Sequence, residues 1–139
     1  ALDVATNANS AGRWLMHFTN FWKSFRWVIK DHFTPIRVVD LRHPLTVDAY
    51  IPEDVPRVLH FGYAQREELM RYKWTCHGHQ AELRTGWMDK FTGWKEGDVD
   101  LHPCVNNLWA EAYPTDEADL ARVGAVMRDH PYWGVDVIR

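Results

Sequence analysis

Arg57-Val58-Leu59-His60-Phe61-Gly62-Tyr63, followed by the run Gln65–Leu83, is the stretch on which the fold turns. The first seven residues are expected to form a strand ending near the glycine. The run after it is expected to be the best helix in the sequence, a long central one, because Leu69, Tyr72, Lys73, Cys76 and Gln80 follow i, i+3, i+4 spacing among good helix formers. Toward the N-terminus, Trp14, Phe18, Phe21, Trp22 and Phe25 have helix-like spacing, although aromatic residues also favour strands. The expectation is helix in the first half of Trp14–Ile29 and strand over Arg26–Ile29. Pro35 interrupts the chain, and the β-branched run Ile36-Arg37-Val38-Val39 reads as a strand. Residues 42–57 carry Pro44, Pro52 and Pro56 and are expected to be an extended connection.

Beyond Arg84, Gly86, Gly93, Gly97 and Pro103 punctuate Trp87, Phe91 and Trp94, which points to an irregular, Trp-rich C-terminal region. Asp116–Asp129 reads as a short final helix capped by Thr115 or Asp116 and stopped by Pro131. Residues 1–13, rich in Ala, Asn, Ser and Gly, are expected to be an N-terminal arm. Together these elements predict one mixed α/β domain over residues 1–139. The opening Ala1-Leu2-Asp3-Val4-Ala5 has no methionine, as expected of a processed chain, a fragment or one part of a larger assembly.

Composition narrows the function. The net charge is −3 with the signs interspersed, so there is no basic face able to track a nucleic-acid backbone. Cys76 and Cys104 are the only cysteines, too few for a disulfide framework, and a reducing, cytoplasmic setting is expected. The apolar runs are far too short to span a membrane, and no signal-peptide pattern opens the chain. Eight tryptophans stand beside eight histidines. Tryptophan fills cores, but it also builds interfaces and platforms for sugars and bases.

The densest cluster of chemistry-bearing side chains is Arg71-Tyr72-Lys73-Trp74-Thr75-Cys76-His77-Gly78-His79. On a helix Lys73 and His77 share a face, placing a cation and an imidazole where a phosphate or diphosphate group could be held. The same pattern also describes an ordinary solvated helix face. His60 stands at a strand end, where an imidazole can ligate a divalent metal or can simply be buried against backbone. Asp31, after an apolar run, is the candidate general base, or else a turn aspartate. Cys76, His77, His79, His102 and Cys104 lack the spacing of a structural zinc site. No nucleophile elbow, Walker loop or dinucleotide fingerprint is present.

The order of these segments resembles the C-terminal half of family 2 glycosyltransferases. The likeness is carried by Phe21-Trp22-Lys23-Ser24, Asp31–Val39, His60-Phe61-Gly62-Tyr63-Ala64, Met70–Trp74, His77-Gly78-His79, Asp100-Leu101-His102-Pro103 with Trp109, and Met127–Tyr132. It implies a partial GT-A-like domain, a nucleotide-sugar donor, a carbohydrate or other hydroxyl acceptor, and a divalent metal, manganese or magnesium. It further implies His60 as a metal ligand, Asp31 as the base, and Arg71, Lys73, Trp74, His77 and His79 as substrate-binding residues. Asp98-Val99-Asp100 has the D-x-D form but sits in a glycine-containing loop and follows no apolar strand, so it is not counted among these. The resemblance places the nucleotide-binding half outside these residues, so activity would need that half upstream or on another chain. The alternative is a noncatalytic structural or assembly protein of a larger particle or complex, with an exposed Trp-rich surface.

Overall fold

The aromatic stretch that begins at Trp14 is built of strands: β1 (Arg13–Leu15), β2 (Phe18–Trp22) and β3 (Trp27–Ile29). The helix expected over its first half does not form. Asn20 and Phe21 pair with Ile29 and Val28 in an antiparallel ribbon, and that ladder uses the backbone groups a helix would need. The computed structural model describes residues 11–29, 36–44, 48–51, 57–76, 78, 80–107, 109 and 111–139, apart from the side chain of Arg37. Further strands are β4 (Ile36–Val39), β5 (Asp48–Tyr50), β6 (Val58–Tyr63) and β7 (Ala112–Pro114). The helices are α1 (Glu67–Thr75), α2 (Trp87–Thr92) and α3 (Glu117–Met127). The mixed α/β expectation therefore holds.

The chain divides into two compact units, Ala1–Thr19 with Asp31–Leu59, and Asn20–Lys30 with His60–Arg139. The first contains a three-stranded sheet in the order β4-β1-β5. Its central strand runs antiparallel to β4, with Trp14 opposite Val38, and parallel to β5, with Trp14 opposite Ala49. Among the described residues the core beneath it gathers Ala11, Trp14 and Ile51, with Met16, Val38 and Ala49 packed around them. Gly12 is required here, since a Cβ would press on the carbonyls of His43 and Pro44.

The second unit is built on a sheet in the order β6-β2-β3-β7, to which β2 and β6 contribute their C-terminal parts. Its core gathers Trp22, Ile29, Met70, Trp87, Met88, Phe91, Trp94, Leu101, Trp109 and Ala112. All eight tryptophans of the chain are buried or half-buried, so the excess of this residue goes into packing.

The α1 helix is shorter than expected, ending at Thr75 with Cys76 as its cap. Its inward face is also different. Leu69 and Tyr72 are exposed, while Met70 is buried and Lys73 and Trp74 are half-buried. Two neighbouring stripes of this helix are both partly apolar, and the sheet below selects the one carrying Met70 and Trp74. The α2 helix, within the region expected to be irregular, is a genuine addition. Trp87, Met88 and Phe91 lie on one helical face and are all buried. Gly86, at φ 74°, admits the chain and Gly93 ends the helix, so the two glycines act as its limits. The final helix is close to expectation: the Asp116 carboxylate accepts from the Asp119 N–H at 2.7 Å.

Candidate functional site

Strand β6 ends in a corner built around Gly62. A Cβ at that position would lie 2.5 Å from His60 Cε1, 2.6 Å from His60 Nε2 and 3.1 Å from Lys73 Nζ. The missing side chain is therefore what lets an imidazole and an ammonium approach one stretch of backbone from the strand and the following helix. His60 Nδ1 lies 2.7 Å from Asn20 Oδ1. An amide oxygen only accepts, so Nδ1 carries the hydrogen and Nε2 is the lone-pair nitrogen of the neutral ring. Asn20 is itself buried, at 3 % exposure, in an otherwise aromatic strand.

Lys73 reaches this corner from α1. Its ammonium donates to the Gly62 carbonyl at 3.0 Å and lies 4.4 Å from the centre of the Tyr63 ring. Burial holds its pKa below the ordinary lysine value, because a partly dry setting disfavours the charged form. An anion brought here would meet that ammonium in a medium of reduced dielectric.

The other expected site residues are distributed differently. Arg71, two positions from Lys73 and so on the opposite side of α1, pairs with Glu67 at 2.6 Å, and its side chain is half exposed. It is not brought to the Gly62 corner. Trp74 stacks on Trp87, with centroids 4.9 Å apart and planes within 8°, so one of its ring faces is already covered. His102 accepts from the Cys104 N–H at 2.9 Å through Nδ1 and lies against Trp109. Asp31, His77 and His79 lie outside the described residues. Among the described residues no three His, Cys, Asp or Glu side chains converge as a metal site.

Three contributors to this region were missed in the sequence. Asn20 orients His60, and its signal was a lone amide in an aromatic strand. Tyr63 forms the ring beneath Lys73. Lys23 is 2 % exposed at φ 60°, with its ammonium 4.1 Å from the centre of the Phe91 ring. Its backbone N–H donates to the Tyr63 carbonyl at 2.9 Å, and its carbonyl accepts from Ile138 at 2.7 Å. It thus joins the end of β6 to the C-terminal segment. Nothing in its sequence context distinguished it from a surface lysine.

Comparison of the chain with protein-family models, with curated proteins and with solved structures returned no match. Among the described residues no helix is long and apolar enough to cross a membrane.

Proposed function

We propose that this chain is the C-terminal, acceptor-side portion of a GT-A glycosyltransferase that uses a nucleotide-sugar donor. The observation that supports it is the Gly62 corner, where Lys73 and His60 flank the same backbone. Transfer of a sugar leaves a nucleoside diphosphate, and the negative charge that develops on it needs fixed positive partners. Lys73 fits that role: its ammonium lies over the Tyr63 ring and donates to the Gly62 carbonyl, and its partial burial strengthens attraction to an anion.

The residues present also fit a divalent metal in part. His60 offers an imidazole nitrogen whose tautomer is set by Asn20, as ligating histidines are typically oriented by a second group. The remaining ligands would come from the nucleotide-binding half. Manganese or magnesium bound there would neutralise the diphosphate as a Lewis acid. A carbohydrate or other hydroxyl acceptor completes the reaction, and a cytoplasmic location suits a soluble donor.

The test is a thermal-shift titration of the protein together with the remainder of its open reading frame. Manganese plus UDP or GDP is expected to stabilise it, by about 2.7 kcal/mol when the ligand is a hundredfold above Kd. Lys73→Gln and Gly62→Ala should each remove most of that shift. A complete lack of response to either nucleotide with either metal would sink the reading. The alternative, a noncatalytic assembly protein, draws support from one observation. Val39, Leu41 and Tyr50 of the first unit are 49 %, 83 % and 65 % exposed, as residues awaiting another chain would be. Light scattering on the same sample distinguishes the two, since that reading requires stable association and no nucleotide binding.

A further inference from the structure

The second unit carries an open groove of about 320 Å³ that plays no part in the Gly62 corner. One wall is aromatic. Phe61 stacks on Phe21 at 5.0 Å and meets Phe25 edge-on at 5.3 Å, so the ring facing the groove is held from behind. The turn after α3 adds His130 and Tyr132 to the lining. The link between β6 and α1 supplies Gln65 and Arg66.

The polar groups around this groove are biased. Among the described residues no aspartate or glutamate lines it, although the chain as a whole is acidic. Arg66 is exposed and has no ion-pair partner among the described residues, whereas Arg71 one turn on is taken by Glu67. His130 Nδ1 accepts from the Tyr132 N–H at 3.2 Å, so the ring's own hydrogen sits on Nε2 as a donor. Its ring is fixed edge-on to Phe25 at 5.4 Å, and its backbone N–H is bonded to Met127 at 2.9 Å. A preset donor and a permanent cation beside aromatic faces are complementary to a carboxylate attached to a flat or puckered ring.

We infer that this groove binds a ring-bearing carboxylate, with Arg66 and His130 on the acid group and Phe61 and Tyr132 against the ring. Two sources share that chemistry, a uronic acid and an aromatic acid. A uronic acid would make the groove an acceptor subsite, an extension that rests on the glycosyltransferase reading. An aromatic acid would make it a ligand site independent of that reading.

Amide-resolved NMR titrations of the full chain with glucuronate, benzoate and glucose test this. One of the two acids is expected to shift the amides of Ala64–Leu69 and His130–Tyr132, and to bind at least about tenfold more tightly than glucose. Arg66→Gln should weaken the acid by about tenfold while leaving the remaining spectrum in place. Glucuronate binding alone assigns the groove to an acidic sugar, and benzoate binding alone assigns it to an aromatic acid. Glucose binding as tightly as either acid, no shift with either acid, or an unchanged affinity in Arg66→Gln would overturn the proposal. The nucleotide titration reports on Lys73 and Gly62 separately, so the two readings fail independently.

Discussion

In the second unit Trp22 is fully buried against five aromatic rings, with Trp87 at 6.1 Å, Phe91 at 5.2 Å, Tyr63 at 6.0 Å and Trp94 and Trp109 both at 6.4 Å. In the first unit Trp14 occupies the matching place at the centre of a sheet, yet among the described residues its buried core neighbours are only Ala11 and Ile51. Among the described residues both indole N–H groups are buried without an acceptor, so the two tryptophans carry a similar polar cost. They differ in what surrounds the ring. Packing contacts are individually small and sum only when the ring is enclosed on all sides. The same residue type at the same kind of position therefore anchors one unit and only furnishes the other.

The largest expected effect separates these two tryptophans directly. Trp22→Ala should cost about 3–5 kcal/mol, enough to unfold a marginal domain, because the surrounding rings cannot collapse into the space. Trp14→Ala should cost about 1–2 kcal/mol. Denaturant unfolding followed by near-ultraviolet circular dichroism measures both, and equal losses would break the contrast. Trp22→Phe, which also removes the unsatisfied N–H, should fall well short of the alanine change.

A smaller effect concerns the cation that the dense core encloses. Burial lowers the pKa of Lys23, opposed by the nearby charge of Glu67 and reinforced by Arg139. Between that lowered value and the ordinary lysine value of 10.5, the unfolded chain binds the extra proton, so stability attributable to Lys23 rises with pH. Cys104 and Tyr113, whose pKa values are raised, act in the opposite direction, because the folded state keeps their protons longer as pH climbs. The comparison must therefore be by difference. Lys23→Met is expected to be more stable than the parent by about 1 kcal/mol at neutral pH. The gap should shrink as pH approaches the alkaline range. A gap that widened with pH would show that the ammonium is better accommodated than its surroundings imply.

The smallest effect marks where the core stops. Arg71→Ala removes only an exposed i, i+4 pair with Glu67, and should change stability by no more than about 0.5 kcal/mol. It should leave nucleotide binding intact, in contrast to Lys73→Gln. A larger loss would extend the influence of the second unit's packing onto the outer face of α1.

Legibility in the sequence followed how local each signal was. The β6 strand, the β4 strand and the cap at Asp116 were readable because neighbouring residues specify them. The strands β1 and β2 were not. Trp14, Phe18, Phe21 and Trp22 satisfy a helical period as well as a strand, and only their cross-strand partners, Val38 and Ala49 for β1 and Val28-Ile29 for β2, decide between them. The existence of the α1 helix was legible but its end was not, and the stripe of Leu69 and Tyr72 that carried its period is exposed, since those residues are as apolar as Met70 and Trp74. At the candidate site, His60 and Lys73 were singled out in advance, while Asn20 and Tyr63 acquire their roles through contacts spanning 40 and 10 residues respectively.

Sequence by itself determined the mixed α/β character, the strand that reaches Gly62 and the helix after it, because composition and short-range spacing carry those directly. Tertiary structure alone decided that the tryptophans go inward, that Arg71 faces away while Lys73 turns back to Gly62, and that Phe61 and His130 border a shared groove. Those outcomes depend on which partner surface each residue meets, and burial energy is a property of the pair, not of either residue.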